Sequence, residues 1–392
     1  MQILRMGVVG IGNMGSAHVA RITKGEVQGM TLAAVCDTDP QKRTAAEQAL
    51  NGVAVFEDYR ALIDSGLCDA VIIATPHYFH PPIAIYALEH GLHVLTEKPA
   101  GVYTAQVKEM NAVAEKSGKV FGIMFNQRTT PIFAKARELV QSGRLGELKR
   151  VVWIITNWYR NQAYFDSGSW RATWVGEGGG VLLNQCVHNI DLWQWICGMP
   201  ARIHSFVGYG KYHNIEVDDD VTVYAEYPNG ATGTFMTTTG EYPGTNRLEV
   251  SGDRGKMVIE NGVLKLWELD APEREFCFHS DTNTPKPHIT VSEMPFTDNG
   301  PAHTGICQNF ADAILHGAPL LAPGYDGLNS LEIINAIYLS DWTKSTVSLP
   351  IDDAQYEQLL RERIKTSTLR QGDDGAFRSN ADTLTDRWSV KW

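Results

Sequence analysis

Residues 3–37 read ILRMGVVGIGNMGSAHVARITKGEVQGMTLAAVCD, and this stretch decides the fold of the first part of the chain. A short apolar run leads into Gly10, Gly12 and Gly15, which have G-x-G-x-x-G spacing. We expect a helix at 16–24 and a second strand after it. The order strand, glycine turn, helix and strand is typical of a dinucleotide-binding unit, whereas the glycine spacing alone is a weak signal.

The glycine turn and the end of the second strand predict the cofactor. Glycine lets backbone N–H groups approach a pyrophosphate, and the start of the next helix favours its negative charge. We therefore expect Gly10, Gly12, Asn13 and Met14 to contact a dinucleotide. The second strand ends at Asp37, whose carboxylate can bind the ribose hydroxyls and would repel a 2′-phosphate. This arrangement predicts NAD rather than NADP, and the alternative is a plain glycine turn.

The alternation of strands and helices continues to about residue 127. Apolar strand segments in DAVIIATP, HVLTEKP and VFGIMFNQR alternate with helical segments, which predicts a parallel sheet with helices on both faces. Ligands of such sheets bind at the carboxyl ends of the strands. The cofactor contacts expected at this edge are Thr75, Pro76, His77, His80, Glu97, Lys98 and Gln127. A lysine in a loop is commonly just solvated, but Lys98 follows a buried strand directly, so we place it beside the nicotinamide.

Length, charge and cysteine content limit the class of protein. The chain has 392 residues, 43% of them hydrophobic and 20% charged, which predicts a globular protein of two domains. A net charge of -11 argues against nucleic acid, and the longest apolar runs are strand-sized, which argues against a membrane partner. The six cysteines show no Cys-x-x-Cys pair, which favours reduced thiols in a cytoplasmic protein. We expect no metal, and we interpret residues 218–220, three aspartates, as a solvated turn.

The chain is rich in aromatic residues between 153 and 174. Sugar rings present C–H faces that pack on aromatic rings, while their hydroxyl groups need polar partners. The residues expected to line a substrate site are Tyr159, Arg160, Trp170, Arg171 and Trp174. Trp153 is expected to lie in the core instead, and the alternative is that several of these rings form the core between the two domains.

Residues 177–191 read EGGGVLLNQCVHNID, an apolar segment interrupted by Asn184, His188 and Asp191. On a helix these three residues would share one face, because they stand at positions i, i+4 and i+7. Such a stripe predicts a site, and the alternative is a core helix with a few satisfied polar residues. The three glycines predict a tight turn beside cofactor or substrate. Asp191 either orients the His188 ring or makes a structural hydrogen bond.

The combination of ATPHYFHPP, EKPAG and GGGVLLNQCVHNID resembles the Gfo/Idh/MocA family, and the resemblance extends to about residue 350. It implies an N-terminal Rossmann domain at 1–127. A C-terminal α+β domain at 128–350, with a large, mostly antiparallel sheet, would bind substrate and form a homo-oligomer. Segments of alternating polarity from residue 201, with a hairpin turn at Asn229-Gly230, agree with such a sheet. Residues 351–392 are expected to form an irregular tail, which Trp388 and Trp392 would pack against another surface.

The resemblance also implies hydride transfer between NAD(P) and a sugar or polyol, without a metal. The catalytic lysine of the family falls on Lys98, and the histidine of its Asp-x-x-x-His motif falls on His188. The aspartate of that motif falls on Asn184, which is a departure. An amide cannot accept a hydroxyl proton, so the role of base concentrates on His188, with Lys98 assisting. Asn184, His188 and His303 are further expected substrate contacts.

The sequence NWYR…AYFDSGSWRATW…GEGGGVLLNQ resembles that of the members of this family that oxidise the C3 hydroxyl of glycosides. A glucoside is therefore the expected substrate. Three alternatives stay open at this point. They are an inositol or polyol dehydrogenase, a glycosidase that recycles its NAD, and an NAD-binding regulator without catalytic activity.

Overall fold

A computed structural model of the chain describes residues 3–281, 283 and 285–370. The strands are β1 (Leu4–Val9), β2 (Met30–Cys36), β3 (Ala54–Phe56), β4 (Ala70–Ile73), β5 (His93–Thr96), β6 (Phe121–Ile123), β7 (Leu148–Ile155), β8 (Arg202–Tyr209), β9 (Asp218–Glu226), β10 (Thr232–Thr238), β11 (Asn246–Gly252), β12 (Gly255–Glu260), β13 (Val263–Leu269), β14 (Ile289–Pro295) and β15 (Val347–Ser348). The α-helices are α1 (Asn13–Thr23), α2 (Pro40–Ala49), α3 (Tyr59–Asp64), α4 (His80–Glu89), α5 (Thr104–Ser117), α6 (Pro131–Gln141), α7 (Gln162–Asp166), α8 (Val187–Cys197), α9 (Glu273–His279), α10 (Ala302–His316), α11 (Gly327–Thr343) and α12 (Asp353–Thr366).

The first sheet has six parallel strands in the order β3-β2-β1-β4-β5-β6. Its central strands β1, β4 and β5 are almost wholly buried, as expected for strands covered by helices on both faces. The chain order reverses beside β1, and this is the place where parallel sheets of this type open a crevice for a ligand. The predicted doubly wound α/β fold is confirmed for this part of the chain.

The glycine turn between β1 and α1 is fixed by close packing. Gly10 has φ +85°, and a Cβ atom there would lie 2.7 Å from the Ala74 carbonyl oxygen. A Cβ atom on Gly15 would lie 1.8 Å from the Gly10 carbonyl oxygen, so the start of α1 rests directly on the turn. The helix begins at Asn13, three residues before the predicted start, because the turn itself leads straight into the first helical residues.

The second sheet has nine strands in the order β14-β13-β12-β11-β7-β10-β9-β8-β15, and only the pair β7 and β10 among them is parallel. The predicted large, mostly antiparallel sheet is therefore confirmed, including the hairpin at Asn229-Gly230. Its inner face packs against helices. Trp193 of α8 stacks on Phe235 of β10 at 5.4 Å between ring centroids, and Trp153 lies in this core as predicted.

The other face of the second sheet is partly exposed. Phe206 on β8 is 67% exposed, and Tyr224 on β9 is 45% exposed. Thr222 is the strand partner of Phe206, and its exposed side chain adjoins the two rings. Scattered exposed rings are common, but neighbouring ones on one sheet face form a patch that can be covered by another chain.

Three expectations from the sequence are wrong in detail. The segment after residue 351 contains helix α12, which Asp352 caps and which buries Tyr356 and Leu360 one turn apart. Trp388 and Trp392 lie outside the described residues. The aspartates at the start of β9 do not form a solvated turn, because Asp218 and Asp219 are fully buried. Asn184 is not helical, since α8 begins at Val187.

The predicted domain boundaries at 127 and 350 stay a prediction. The first sheet ends at Ile123 and the second begins at Leu148, with α6 between them. Within the described part of the chain, no helix has the length and the apolar character needed to cross a membrane.

Candidate functional site

The carboxyl edge of the first sheet gathers the residues that the sequence placed there. Asp37 follows β2 and reaches the glycine turn, where its Oδ2 accepts a hydrogen bond from the Ile11 N–H at 2.9 Å. Its Oδ1 accepts one from the Asp39 N–H at 2.9 Å. The carboxylate is thus fixed beside the start of α1, at the place where a ribose would follow a pyrophosphate.

The same edge fits a polar ligand. A Cβ atom on Gly12 would meet nothing within 4 Å, so the turn is open at that residue. The side-chain oxygens Thr75 Oγ1, Asn126 Oδ1 and Gln127 Oε1 are buried and have no hydrogen-bond partner among the described residues. Buried polar atoms are nearly always paired in folded proteins, so these oxygens indicate that a ligand completes the site. A dinucleotide has the pyrophosphate, ribose and amide groups that this edge would hold.

Glu97 ends β5 and is held by an ion pair inside the protein. His18 Nε2 on α1 lies 2.7 Å from Glu97 Oε1, and both residues are buried. Burial opposes both charges, but hydrogen bonds to Cys307 and Glu97 raise the pKa of His18 to about 9. The hydrogen bond and the charge of His18 likewise overcome burial and lower the pKa of Glu97 to about 2. The Glu97 carboxylate also accepts the Lys98 N–H at 3.2 Å, so this pair fixes the backbone from which Lys98 projects.

Lys98 reaches from the first sheet to the segment that precedes α8. Its Nζ donates a hydrogen bond to the Asn184 carbonyl oxygen at 3.0 Å, and the side chain is buried. Burial lowers the pKa of Lys98 to about 8, with Arg171 and Arg160 acting in the same direction. The amine is therefore still charged at pH 7, and its proton lies within reach of ordinary pH changes.

His188 lies in the first turn of α8, where burial keeps it neutral and the charge of Lys98 acts in the same direction. Burial, followed by the positive charge of Lys98, lowers the pKa of His188 well below 6.5. The ring of Phe125, after β6, meets the His188 ring edge-on at 6.4 Å between centroids. The structure thus brings together Lys98, after β5 of the first sheet, and His188, on helix α8, the first charged and the second neutral at pH 7.

Asp191 does not orient the His188 ring. Its two oxygens accept hydrogen bonds from Arg128 Nε at 2.8 Å and Arg128 Nη2 at 2.6 Å. Arg128 Nη1 also contacts Asp326 at 2.6 Å, before α11. The structural interpretation of Asp191 is therefore correct. Asp191 pairs with Arg128, which also pairs with Asp326, and these contacts join α8 to the residues after β6 and before α11.

Two predicted cofactor contacts, His77 and His80, have partners within the protein. His80 lies between two backbone carbonyl oxygens, those of Thr75 and Pro99, at 2.7 Å from each. His77 Nδ1 lies 3.0 Å from the Glu177 carbonyl oxygen. Both rings are buried, so they support the loops around the site, and the prediction that they bind the cofactor is not supported by these contacts.

The residues between 159 and 171 form a surface of rings and guanidinium groups beside Lys98. The Arg171 guanidinium stacks on Trp170 at 4.7 Å and on Tyr164 at 5.0 Å. Trp170 in turn meets His77 at 5.6 Å. Arg160 lies over Tyr164 at 5.1 Å. We call Tyr164, Trp170, Arg160 and Arg171 the aromatic wall.

Two other rings predicted to line the site lie elsewhere. Trp174 is buried among Tyr209, Tyr338 and Trp342, and its Nε1 donates to the Glu216 carbonyl oxygen at 3.0 Å. This packing does not place Trp174 in the aromatic wall, and the expected substrate contact stays a prediction. Tyr159 is 45% exposed and meets Tyr242, so it lies at the outer rim.

The three glycines after Glu177 are required by packing inside the protein. A Cβ atom on Gly178 would lie 2.3 Å from Val102, and one on Gly180 would lie 2.0 Å from the Asp218 carbonyl oxygen. The expected explanation, a tight turn beside a ligand, is therefore replaced by close approach to the neighbouring loop and strand. Asp218 holds this turn, since its carboxylate accepts the Gly180 N–H at 2.6 Å and the Leu182 N–H at 2.9 Å.

Sequence reasoning missed several residues of the site. His303 of α10 was predicted to belong to the site. Its ring centroid lies 6.0 Å from that of His18, which was not predicted. The signal for His18 was a histidine on the buried stripe of α1 that also contains Gly15, Val19 and Ile22. Asn126 gave no signal, because its position after a three-residue strand is set only by the fold.

Comparisons with known proteins agree with this geometry. Residues 4–125 match the oxidoreductase family with an NAD-binding Rossmann fold, and residues 133–258 match the GFO/IDH/MocA C-terminal domain. The chain is 28% identical over 344 residues to scyllo-inositol 2-dehydrogenase (NAD(+)) of Bacillus subtilis, covering 84% of this chain and 92% of that protein. It is 25% identical over 291 residues to levoglucosan dehydrogenase of Pseudarthrobacter phenanthrenivorans, covering 66% and 74% of the two chains.

A solved structure extends the match to the whole architecture. The WlbA dehydrogenase of Chromobacterium violaceum, determined in complex with NADH and UDP-GlcNAcA, is 27% identical and superposes with a TM-score of 0.76. The match covers 90% of this chain and 97% of that one. The chain therefore belongs to the Gfo/Idh/MocA family, and it is an NAD-dependent oxidoreductase acting on a sugar-like or polyol-like substrate.

Proposed function

We propose that the protein oxidises the C3 hydroxyl of a glucoside-like substrate to a ketone, with NAD⁺ as the electron acceptor. The observation that carries this proposal is the aromatic wall beside Lys98. Arg171 stacks on Trp170 while its charge acts on Lys98, so rings and cations adjoin the proposed reacting group. A sugar ring would pack on the rings, and an aglycone, which a small polyol lacks, would extend along the rest of the aromatic wall.

His188 would act as the base. Its pKa lies well below 6.5 because it is buried beside Lys98, so the ring is neutral and can accept a proton at pH 7. Lys98 would donate a hydrogen bond to the same substrate oxygen and stabilise the negative charge that develops on it. Bound NAD⁺ supplies the acceptor for the hydrogen and the electron pair that leave the carbon. His303 and Asn184 would bind further hydroxyl groups.

Cofactor contacts would come from the carboxyl edge of the first sheet. Gly10, Gly12, Asn13 and Met14 would bind the pyrophosphate, and Asp37 would bind the ribose. The buried oxygens of Thr75 and Gln127 would face the nicotinamide end, with Pro76 closing that edge. Glu97 would act by holding the backbone of Lys98.

A polyol dehydrogenase is the second candidate, favoured by the relative named for scyllo-inositol. Asn184 stands against it, because the carboxylate of the Asp-x-x-x-His motif is absent at that position. A glycosidase that recycles NAD would use the same groups but form no net NADH. A regulator without activity would have no need for Lys98 beside His188.

We also propose a cytoplasmic homo-oligomer. Four of the six cysteine thiols are buried and all six are free, as suits a reducing compartment. The exposed rings Phe206 and Tyr224 on the second sheet would meet the same face of a second copy.

The cofactor preference rests on Asp37. The wild-type protein should bind NAD⁺ at least tenfold more tightly than NADP⁺, because the carboxylate repels a 2′-phosphate. Asp37→Ala should narrow that ratio, whereas Asp352→Ala, which removes the cap of α12, should leave it unchanged. Fluorescence titration with both nucleotides measures the ratio, and equal affinities in the wild type would contradict the assignment.

The catalytic assignment rests on Lys98 and His188. Lys98→Ala and His188→Ala should each lower kcat by on the order of 10²-fold or more, because each removes a group that acts on the reacting hydroxyl. NAD⁺ affinity should change little. Lys135→Ala, which removes a lysine paired with Glu138 on α6, is the control. Near-wild-type turnover in either site variant would remove that residue from the mechanism.

The oligomer proposal rests on the exposed face of the second sheet. Phe206→Glu should lower the molar mass in solution, because it places a carboxylate in the contact. Light scattering measures the mass. Phe278→Glu, on an exposed ring of α9, should leave it unchanged. A wild-type protein that is monomeric at tens of micromolar would refute the proposal.

The substrate proposal is tested by the product. Incubation with free sugars, inositols and glycosides should give NADH in step with a 3-keto glycoside whose glycosidic bond is intact, and NMR of the product locates the carbonyl. Oxidation at C1 would indicate an aldose dehydrogenase. Release of free sugar without net NADH would indicate the recycling glycosidase.

A further inference from the structure

Glu177 is a buried carboxylate at the site to which no role has yet been given. It precedes the glycine turn, and only 2% of its surface is exposed. Its Oε1 accepts a hydrogen bond from Asn184 Nδ2, and its Oε2 accepts one from the Ala172 N–H at 2.6 Å. A carboxylate removed from water destabilises the fold unless charges and donors compensate for it.

The compensating charges at Glu177 belong to the site. Burial raises the pKa of Glu177, while the positive charge of Arg171 acts most strongly to lower it. Arg171 is part of the aromatic wall. The negative charge of Glu177 also favours the charged form of Lys98. The charge of Glu177 thus acts on both Arg171 of the wall and Lys98.

A chain of contacts joins Glu177 to Lys98 through a single residue. Asn184 donates its side-chain amide to Glu177 and accepts the Lys98 ammonium on its backbone carbonyl oxygen. The Asn184 side chain is uncharged, and the Glu177 carboxylate places a negative charge beside it. The two hydrogen bonds at Asn184 fix the place at which Lys98 Nζ is held.

We propose that Glu177 is a positioning residue, which holds Asn184 and Lys98 in place and supplies the negative charge that keeps Lys98 protonated during turnover. This inference rests on the proposed role of Lys98. Glu177 itself would not touch the substrate, because both of its oxygens already have protein partners.

The ionisable groups that face Lys98 titrate outside the pH range in which Lys98 titrates, so its ionisation can be measured separately. The carboxylates of Glu97 and Glu177 favour its charged form, while Arg171 and Arg160 disfavour it. Burial keeps the pKa values of the neighbouring histidines, His77, His80, His188 and His303, below 6.5. Burial also raises the pKa of the Cys186 thiol far above the working range.

His18 is the other neighbouring group that titrates in the alkaline range. Its pKa is raised to about 9 by hydrogen bonds to Cys307 and Glu97, against the effect of burial. Glu177 is not among the groups that set this value. Removing the charge of Glu177 should therefore move the ionisation of Lys98 and leave that of His18 in place.

The expected pH dependence follows from the charged form of Lys98 being the active one. Activity should be present below the pKa of Lys98, about 8, and should be lost as the pH rises through it. Glu177→Gln removes a charge that stabilises the ammonium, so the alkaline limb of kcat/KM should move to lower pH. Each unit of displacement lowers kcat/KM about tenfold on the alkaline side.

The experiment measures kcat/KM against pH at saturating NAD⁺, with the substrate that the wild type oxidises best. Glu177→Gln/Asn184→Asp restores a carboxylate one contact away and should return the limb toward the wild-type position. Glu332→Gln is the matched control. Glu332 lies on α11, is also buried, and accepts a hydrogen bond from the Ile351 N–H. Its limb should not move.

The outcomes are distinct. A limb that stays in place in Glu177→Gln, with correct folding shown by thermal unfolding and NAD⁺ binding, would overturn the inference. If Glu177→Gln does not fold, Glu177→Asp decides, because it keeps the carboxylate but shortens its reach to Asn184, so kcat/KM should fall; a wild-type kcat/KM in that folded variant refutes the role. Failure of the proposed function appears separately, as a wild-type product other than a 3-keto glycoside.

Discussion

The buried carboxylate of Asp218 is the constraint on which the site depends. It accepts the N–H groups of Gly180 and Leu182 and the hydroxyl of Tyr338, and so ties the glycine turn to the start of β9 and to α11. The turn leads in one direction to Asn184 and α8. A Cβ atom on Gly180 would lie 2.0 Å from the Asp218 carbonyl oxygen, so only glycine allows the turn to approach this strand so closely. The positions of the residues on either side of it therefore follow from one buried anion.

Burial lowers the pKa of both central groups but leaves them in different protonation states at pH 7. It lowers the pKa of Lys98 only to about 8, since two carboxylates oppose it, and the amine keeps its proton at pH 7. It lowers the pKa of His188 well below 6.5, with the charge of Lys98 adding to the effect. One donor and one acceptor of protons thus stand side by side, a separation typical of acid–base sites. The low pKa of Glu97 keeps a fixed negative charge beneath them.

Periodicity and glycine spacing were enough to predict the first sheet, because it depends on patterns within a few neighbouring residues, whereas the large second sheet was predicted from the family resemblance, with which the alternating segments agreed. Asp37 and Lys98 could be placed at a strand end for the same reason. Partners distant in the sequence could not be predicted. Asp191 pairs with Arg128, 63 residues away, and Trp174 packs against Trp342 of α11. Neither contact can be predicted from the neighbouring sequence. The helix after Asp352 was missed because its buried face has only two residues, Tyr356 and Leu360.

The joint between the two sheets has a property that bears on how such enzymes diverge. Tyr78 donates to the Trp174 carbonyl oxygen, His77 contacts that of Glu177, and Lys98 donates to that of Asn184. In these three contacts the acceptor on the second side is a main-chain carbonyl oxygen. Side chains at these three positions can therefore be exchanged by mutation without removing an acceptor from the joint. The nucleotide half and the substrate half of the molecule can in this way acquire new specificities separately, while these three contacts between them are kept.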